Sequence, residues 1–341
     1  MKNINMKDWR NDIIANNKRM AMPLMTHPGI EIIGKTVREA CSDGCVQFDA
    51  IKAIAGKYPA DAFTAIMDLT VEAEAFGAEI CFKDNEVPSV IGHILNSDDD
   101  IANLVVPSLG NGRIREYLTA DRLAAENVTD KPFFGGCIGP YSLAGRLYDM
   151  SEMMMLLFLN PDAANCLLQK CTDFITDYCL AIKETGANGV IMAEPAAGLL
   201  SNDDCSLFSS LFIRKIVDRV QDDSFMIVLH NCGNTGHCTK AMVDTGAAAY
   251  HFGNKADMAE VIKDVPADRL VMGNIDPVSV FKVGTPELMK KAVTELLCKM
   301  KGHSNFILSS GCDTPPQTPM ANVDAFFEAL SEFDREKVCV Y

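Results

Sequence analysis

The sequence predicts a (β/α)8 barrel with extra N-terminal helices. Short, continuously apolar, β-rich runs recur along the chain, each is followed by a loop and a helical stretch, and no Gly/Ser- or Pro-rich linker separates them. Strands buried on both faces read as unbroken apolar runs, because helices cover a parallel sheet on each side. Repeated strand–helix alternation is the order of an α/β barrel. With no linker to divide it, the chain reads as one barrel domain over residues 1–341. A doubly wound sheet is the structural rival, but no G-x-G-x-x-G follows a first strand.

Eight runs are candidates for the barrel staves: AMPLM (21–25), AEICF (78–82), PFFGG (132–136), NGVIMA (188–193), FMIVL (225–229), AAYHF (248–252), RLVMG (269–273) and NFILS (305–309). The connections carry helix patterns. Asn160 is an N-cap with Pro161 at the first helical position, Leu167, Cys171, Phe174, Ile175 and Tyr178 follow at helical spacing, and Gly186 ends the stretch. Thr285 and Pro286 open a second helix that Gly302 stops, and Thr318 with Pro319 repeats the start. The first two connections are long, which predicts the additional helices. The Met-rich EMMMLLF (152–158) reads as helix core, and GCIGPYSLAGRL (136–147) as a strand-to-helix turn with close backbone approach.

Composition narrows the function classes. The chain has 31 Lys+Arg against 46 Asp+Glu, a net charge of −15, which repels phosphate backbones and anionic membranes. The opening MKNINMKDWRNDII lacks the apolar core of a secretory leader, and the longest apolar run, Met153 to Leu159, is too short to span a bilayer. These features predict a cytoplasmic protein with no nucleic-acid or membrane partner; the oligomeric state stays open. Thirteen cysteines without small-scaffold spacing fit free thiols in a reducing compartment. Cys166, Cys171 and Cys179, at helical spacing, read as core.

In a (β/α)8 barrel the chemistry sits at the C-terminal strand ends. The fourth run ends at Glu194, the fifth at His230-Asn231-Cys232, the sixth at His251, the seventh at Asn274 and Asp276, and the eighth just before Cys312. His230 and Cys232 are two apart, so in extended backbone both point to one face. Strand eight lies across the mouth from strand five, which lets Cys312 converge on them. One imidazole and two thiolates form a Zn2+ set with a fourth position open. Glu194 reads as ligand, base or rim carboxylate. His237 and Cys238, where the next helix begins, read as surface or capping residues. Cys41 and Cys45 have no evident partner pair.

GGCIGPYSLAGRLYD, IKETGANGVIMAEPAAGLLS, VLHNCGNT and LVMGNIDPVSVFKVGTPE resemble the uroporphyrinogen decarboxylase superfamily over most of the chain. Within it the chain is most similar to zinc-dependent corrinoid methyltransferases of the methylcobamide:coenzyme M type, whose hallmark is H-x-C after one strand and a cysteine after the last. The resemblance implies zinc on His230, Cys232 and Cys312. It implies methylcobamide on a methylated corrinoid protein as methyl donor, and a small thiol as acceptor. Glu194 and His251 are the further candidates for catalysis. Relatives often carry a D-E-K-V-D-like stretch after strand six, where this chain has Gly253-Asn254-Lys255-Ala256-Asp257. That departure leaves the fourth ligand and the thiol open, with His251 and Glu194 the nearest replacements. A decarboxylase is disfavoured, because Ala21 to Gly34 contains no arginine to clamp carboxylates. A non-catalytic corrinoid- or tetrapyrrole-binding member is the remaining alternative.

Overall fold

The computed structural model describes residues 4–15 and 19–333. Its strands are β1 (Phe63–Thr64), β2 (Glu79–Lys83), β3 (Glu86–Ile91), β4 (Phe133–Ile138), β5 (Gly189–Ala193), β6 (Met226–Asn231), β7 (Ala249–Phe252), β8 (Leu270–Ile275) and β9 (Phe306–Ser310). Seven form a parallel sheet in the order β1-β4-β5-β6-β7-β8-β9. The segment around Ala21 supplies the stave between its two ends. On one side the Met22 N–H donates to Leu308 O at 2.9 Å and the Leu308 N–H to Met20 O at 3.0 Å; on the other the Asp61 N–H donates to Ala21 O at 2.8 Å. The result is the (β/α)8-type architecture read from the sequence, with β5, β6, β7 and β9 buried along their whole length.

One stave differs from expectation. Residues 78–82 do not enter the barrel: β2 pairs antiparallel with β3 in a separate hairpin, in register from Glu79↔Ile91 to Lys83↔Glu86. Its residues are half-exposed, so its apolar run covers only one side. The second stave is instead β1, only two residues long, paired with Phe133 and Phe134. Two residues are too few for any alternation to register in sequence.

Two apolar layers hold the barrel. Met22, Leu24, Phe134, Ile191, Val228, Leu270, Met272 and Ile307 fill its interior, and the larger layer lies between sheet and helices. Burying each such side chain stabilises the fold by about 1.5–3 kcal/mol. Helix Met6–Ala15 adds Met6 and Ile13 to the interior layer. Its Met6 N–H donates to Asp223 O, and Trp9 lies 6.3 Å from the Phe134 ring, so it covers the N-terminal strand ends, opposite the candidate site.

The extra helices are present: Thr26–Ile32, Val37–Ser42 and Gly44–Lys57 before β1, and Val71–Ala75, Asp98–Asn103 and Ile114–Asn127 before β4. The Asn160 side chain accepts from the Ala163 N–H and caps helix Pro161–Glu184, while Thr285 accepts from Leu288 and caps helix Pro286–Lys299. Thr318 behaves differently. Its hydroxyl donates to Pro315 O at 2.7 Å, and helix Met320–Glu332 starts from Pro319 with no side-chain cap. The Met-rich helix Met150–Leu159 buries Met153, Leu156 and Leu157 but leaves Phe158 and Leu159 exposed, so only one face is core. Among the described residues, no helix is long and apolar enough to cross a membrane. Cys171 and Cys179 are buried free thiols and Cys166 is half-buried, while Cys298 is disulfide-bonded and departs from the expectation of free thiols.

Candidate functional site

The parallel register sets four strand ends at one level: Ala193 pairs with His230, His230 with His251, and His251 with Met272. The residues that follow these positions all emerge on the C-terminal rim. Just past β6 the Asn231 side-chain oxygen accepts from the Gly233 and Asn234 N–H groups at 3.0 and 2.9 Å. This Asx-type turn bends the chain sharply behind Cys232. Gly253, after β7, packs on the same turn, where a Cβ would come within 2.7 Å of the Cys232 backbone. Close packing of these two loops therefore requires a residue without a side chain.

His230, Cys232 and Cys312 meet at this rim, with one ligand atom from each lying within 4.8 Å of the others. Among the described residues it is the one such group of three or more metal-capable side chains. His230 is buried and both cysteines are half-buried. The His230 Nδ1 lies 2.8 Å from His251 Nδ1 and 3.3 Å from His251 O. Its Nε2 is buried with no hydrogen-bond partner. A buried polar atom without a partner is costly unless something else satisfies it. Hydrogen bonding from Cys312 holds the Cys232 thiol well below its ordinary range, against burial, and Cys232 raises Cys312 in turn.

Glu194 and His251 reach the rim but turn elsewhere. The Glu194 carboxylate is buried and accepts from the Tyr141 N–H at 3.0 Å, the Ser142 N–H at 2.6 Å and the Ser209 hydroxyl at 3.4 Å. It thereby caps helix Pro140–Tyr148, satisfying N–H groups that have no partner within the helix. The approach needs Gly139, whose Cβ would sit 2.4 Å from the carboxylate oxygen, and this is the close backbone contact expected of residues 136–147. Burial raises the Glu194 carboxyl to about 7 despite these bonds. Glu194 is outside the three-residue group. His251 is fully buried, its rings packed edge-on against His230, and its Nε2 lies 2.9 Å from the Ser309 hydroxyl. Burial, and then His230, lower its pKa well below the ordinary histidine value.

The loop over residues 253–257 is held by amides. Asn254 donates to Asp276 at 2.7 Å, and Asn274 donates to Gly253 O and Ala256 O. His237 is exposed and hydrogen-bonds Leu200 O, whereas Cys238 is fully buried with its sulfur 3.3 Å from Leu200 O. Cys238 is therefore neither a surface residue nor a side-chain cap, because the turn after β6 folds it under the loop that follows β5.

Sequence reasoning missed three features of this rim. Ser309 carries no motif signal. His27 follows the first stave and pairs with Asp313, next to Cys312, at 3.3 Å; burial lowers its pKa, but Asp313 outweighs that and raises it. Arg113 binds Asp68 and Glu74, each at 2.7 Å, and the Tyr117 hydroxyl donates to Asp68. These partners lie tens of residues apart in sequence, so no local spacing marks them.

The family model described as uroporphyrinogen decarboxylase matches residues 15–333. The chain is 31% identical over 270 residues to a methylcobamide:CoM methyltransferase (MtbA) of Methanosarcina acetivorans, covering 78% of each chain, and 32% identical over the same length to MtbA of Methanosarcina mazei. It is 27% identical over 287 residues to a uroporphyrinogen decarboxylase of Psychromonas ingrahamii, covering 80% of each. A solved methyltransferase structure from Methanosarcina mazei superposes with a TM-score of 0.86 at 24% identity, over 96% of this chain and 98% of that one, which shows a common fold. Barrel order, rim composition and a family match spanning nearly every described residue converge, and the chain belongs to the uroporphyrinogen decarboxylase family.

Proposed function

We propose that the protein is a methyltransferase that moves a methyl group from a methyl-corrinoid, carried by a partner protein, to a small thiol. The observation that carries this reading is the buried, partnerless Nε2 of His230 beside the sulfurs of Cys232 and Cys312. One neutral imidazole and two thiolates suit zinc, and the donor set fits an ion with a further position left for a substrate. His230, Cys232 and Cys312 would hold it. Bound there, zinc supplies the means to keep a thiol as its nucleophilic thiolate near neutral pH. The methylcobamide:CoM methyltransferases among the relatives support both the corrinoid donor and the thiol acceptor.

The chain's own groups do the positioning. Cys232 and Cys312, as thiolates, would balance the charge of a divalent ion held there, so a substrate sulfur beside them would stay electron-rich. His251 keeps the His230 ring in place. In the transfer, the sulfur–carbon bond forms as the cobalt–carbon bond breaks, the electron pair stays on cobalt, and the thiol proton leaves to solvent.

The test mixes purified protein, methylcobalamin and a panel of small thiols including coenzyme M and homocysteine, and follows loss of the methyl–cobalt absorption. Zinc-dependent loss with one thiol is expected. Transfer that survives both chelation and Cys312→Ala would overturn the mechanism. The match to decarboxylases favours one second reading, decarboxylation of a tetrapyrrole acid. Release of carbon dioxide without zinc would establish that reading instead, and binding of corrinoid without turnover would establish a non-catalytic member.

A further inference from the structure

We propose that Ser309 and His251 are positioning residues that lock His230 in the tautomer with its proton on Nδ1, leaving the Nε2 lone pair aimed at Cys232 and Cys312. The inference rests on the reading of His230 as a metal ligand. It follows from counting hydrogens along one buried chain of contacts.

Ser309 has one hydroxyl hydrogen. Its oxygen lies 2.7 Å from Met22 O, a carbonyl that can only accept, so that hydrogen is committed there. The same oxygen lies 2.9 Å from His251 Nε2, and with its hydrogen spent it can only accept from that nitrogen. His251 therefore carries a proton on Nε2. Its ring is fully buried against His230 and Ser309, with no carboxylate at either contact, so the hydrogen count along the chain gives it one proton, on Nε2. Its Nδ1 is then a lone pair. That lone pair faces His230 Nδ1 at 2.8 Å, which must donate.

A second contact gives the same answer independently. His230 Nδ1 also lies 3.3 Å from His251 O, another group that can only accept. With Nδ1 committed as the donor to His251, the nitrogen left to offer a lone pair is Nε2, the atom that lacks any partner. The opposite tautomer leaves the Met22 carbonyl without the Ser309 proton and sets a lone pair of His230 against a carbonyl oxygen. Outer partners of this kind fix ring orientation and tautomer, and losing one typically costs about 10–100-fold in metal affinity.

The experiment has two arms. In the first, nitrogen-15 NMR of the metal-free, histidine-labelled wild type reads which nitrogen of His230 is protonated, with His230→Gln assigning the resonance. Protonation of Nδ1 is expected, and a proton on Nε2 would overturn the proposal. In the second, zinc affinity is measured by competition with a chromophoric chelator. A loss of about 10–100-fold is expected in Ser309→Ala and His251→Ala, with recovery in Ser309→Thr, which keeps the hydroxyl. Wild-type affinity in both alanine variants would also overturn it. If the wild type binds no zinc at all, the proposed function fails, while the NMR arm still decides the tautomer.

Discussion

The carboxylate of Glu194, at the end of β5, accepts the Ser142 N–H at 2.6 Å and ties one barrel rim position to the first turn of the neighbouring helix. With the Tyr141 bond, both carboxylate oxygens are occupied by backbone donors. Removal in Glu194→Ala leaves two buried N–H groups unpaired, at about 1–3 kcal/mol for each. A clear drop in melting temperature is expected. Zinc content is expected to be unchanged in Glu194→Gln, because the side chain is turned to the helix and not to the sulfurs. Elemental analysis with thermal denaturation checks both, and loss of zinc in the Gln variant would make Glu194 a ligand.

Cys232→Ala and Cys312→Ala are each expected to lose more zinc affinity than the roughly 10–100-fold typical of an outer partner. Each removes one of only three protein donors in the group. Inductively coupled plasma analysis of the purified variants beside Cys166→Ala, a half-buried helix cysteine, provides the comparison. Equal zinc in all three would sink the assignment.

Asp121 makes a pH-dependent prediction. It is fully buried, one of its oxygens has no partner, and burial alone raises its carboxyl from 3.8 to about 8. The folded state holds the proton more tightly than the unfolded one. Its contribution to stability is therefore complete below about pH 4 and is lost as pH rises through about 8. Asp121→Asn is expected to flatten the fall in melting temperature between pH 5 and pH 9, and to be more stable than wild type at the alkaline end. Parallel wild-type and variant profiles would refute this.

Asn254, in the loop after β7, donates its side-chain amide to Asp276 at 2.7 Å. Asn254→Asp replaces that bond with two facing carboxylates, one of which must then ionise at raised pKa. A loss of about 1–2 kcal/mol is expected at pH 8, and part of it should return at pH 5 as one carboxyl keeps its proton. Denaturant titrations at the two pH values measure it; an unchanged midpoint at pH 8 would show that the contact contributes nothing.

By itself the sequence determined seven of the eight staves, the caps at Asn160 and Thr285, and the pairing of His230 with Cys232 on one face. These depend on local rules. Two-face burial writes continuous apolar runs, capping writes a residue type at a helix start, and the two-residue strand period aligns alternate side chains. The strand-end position of Cys312 was legible for the same reason. Residues 78–82 misled because a half-exposed hairpin strand and a barrel stave share one short apolar pattern, and β1 is too brief to register. Only the tertiary structure decided where the rim's polar atoms point: Glu194 to a helix N-terminus, His251 to His230, and Ser309 to Met22. Ser309 and Met22 are 287 residues apart, and no periodicity within a strand or helix carries information across that distance. Their meeting is set when the first stave closes against the last, and the direction of a buried hydrogen bond follows from that closure.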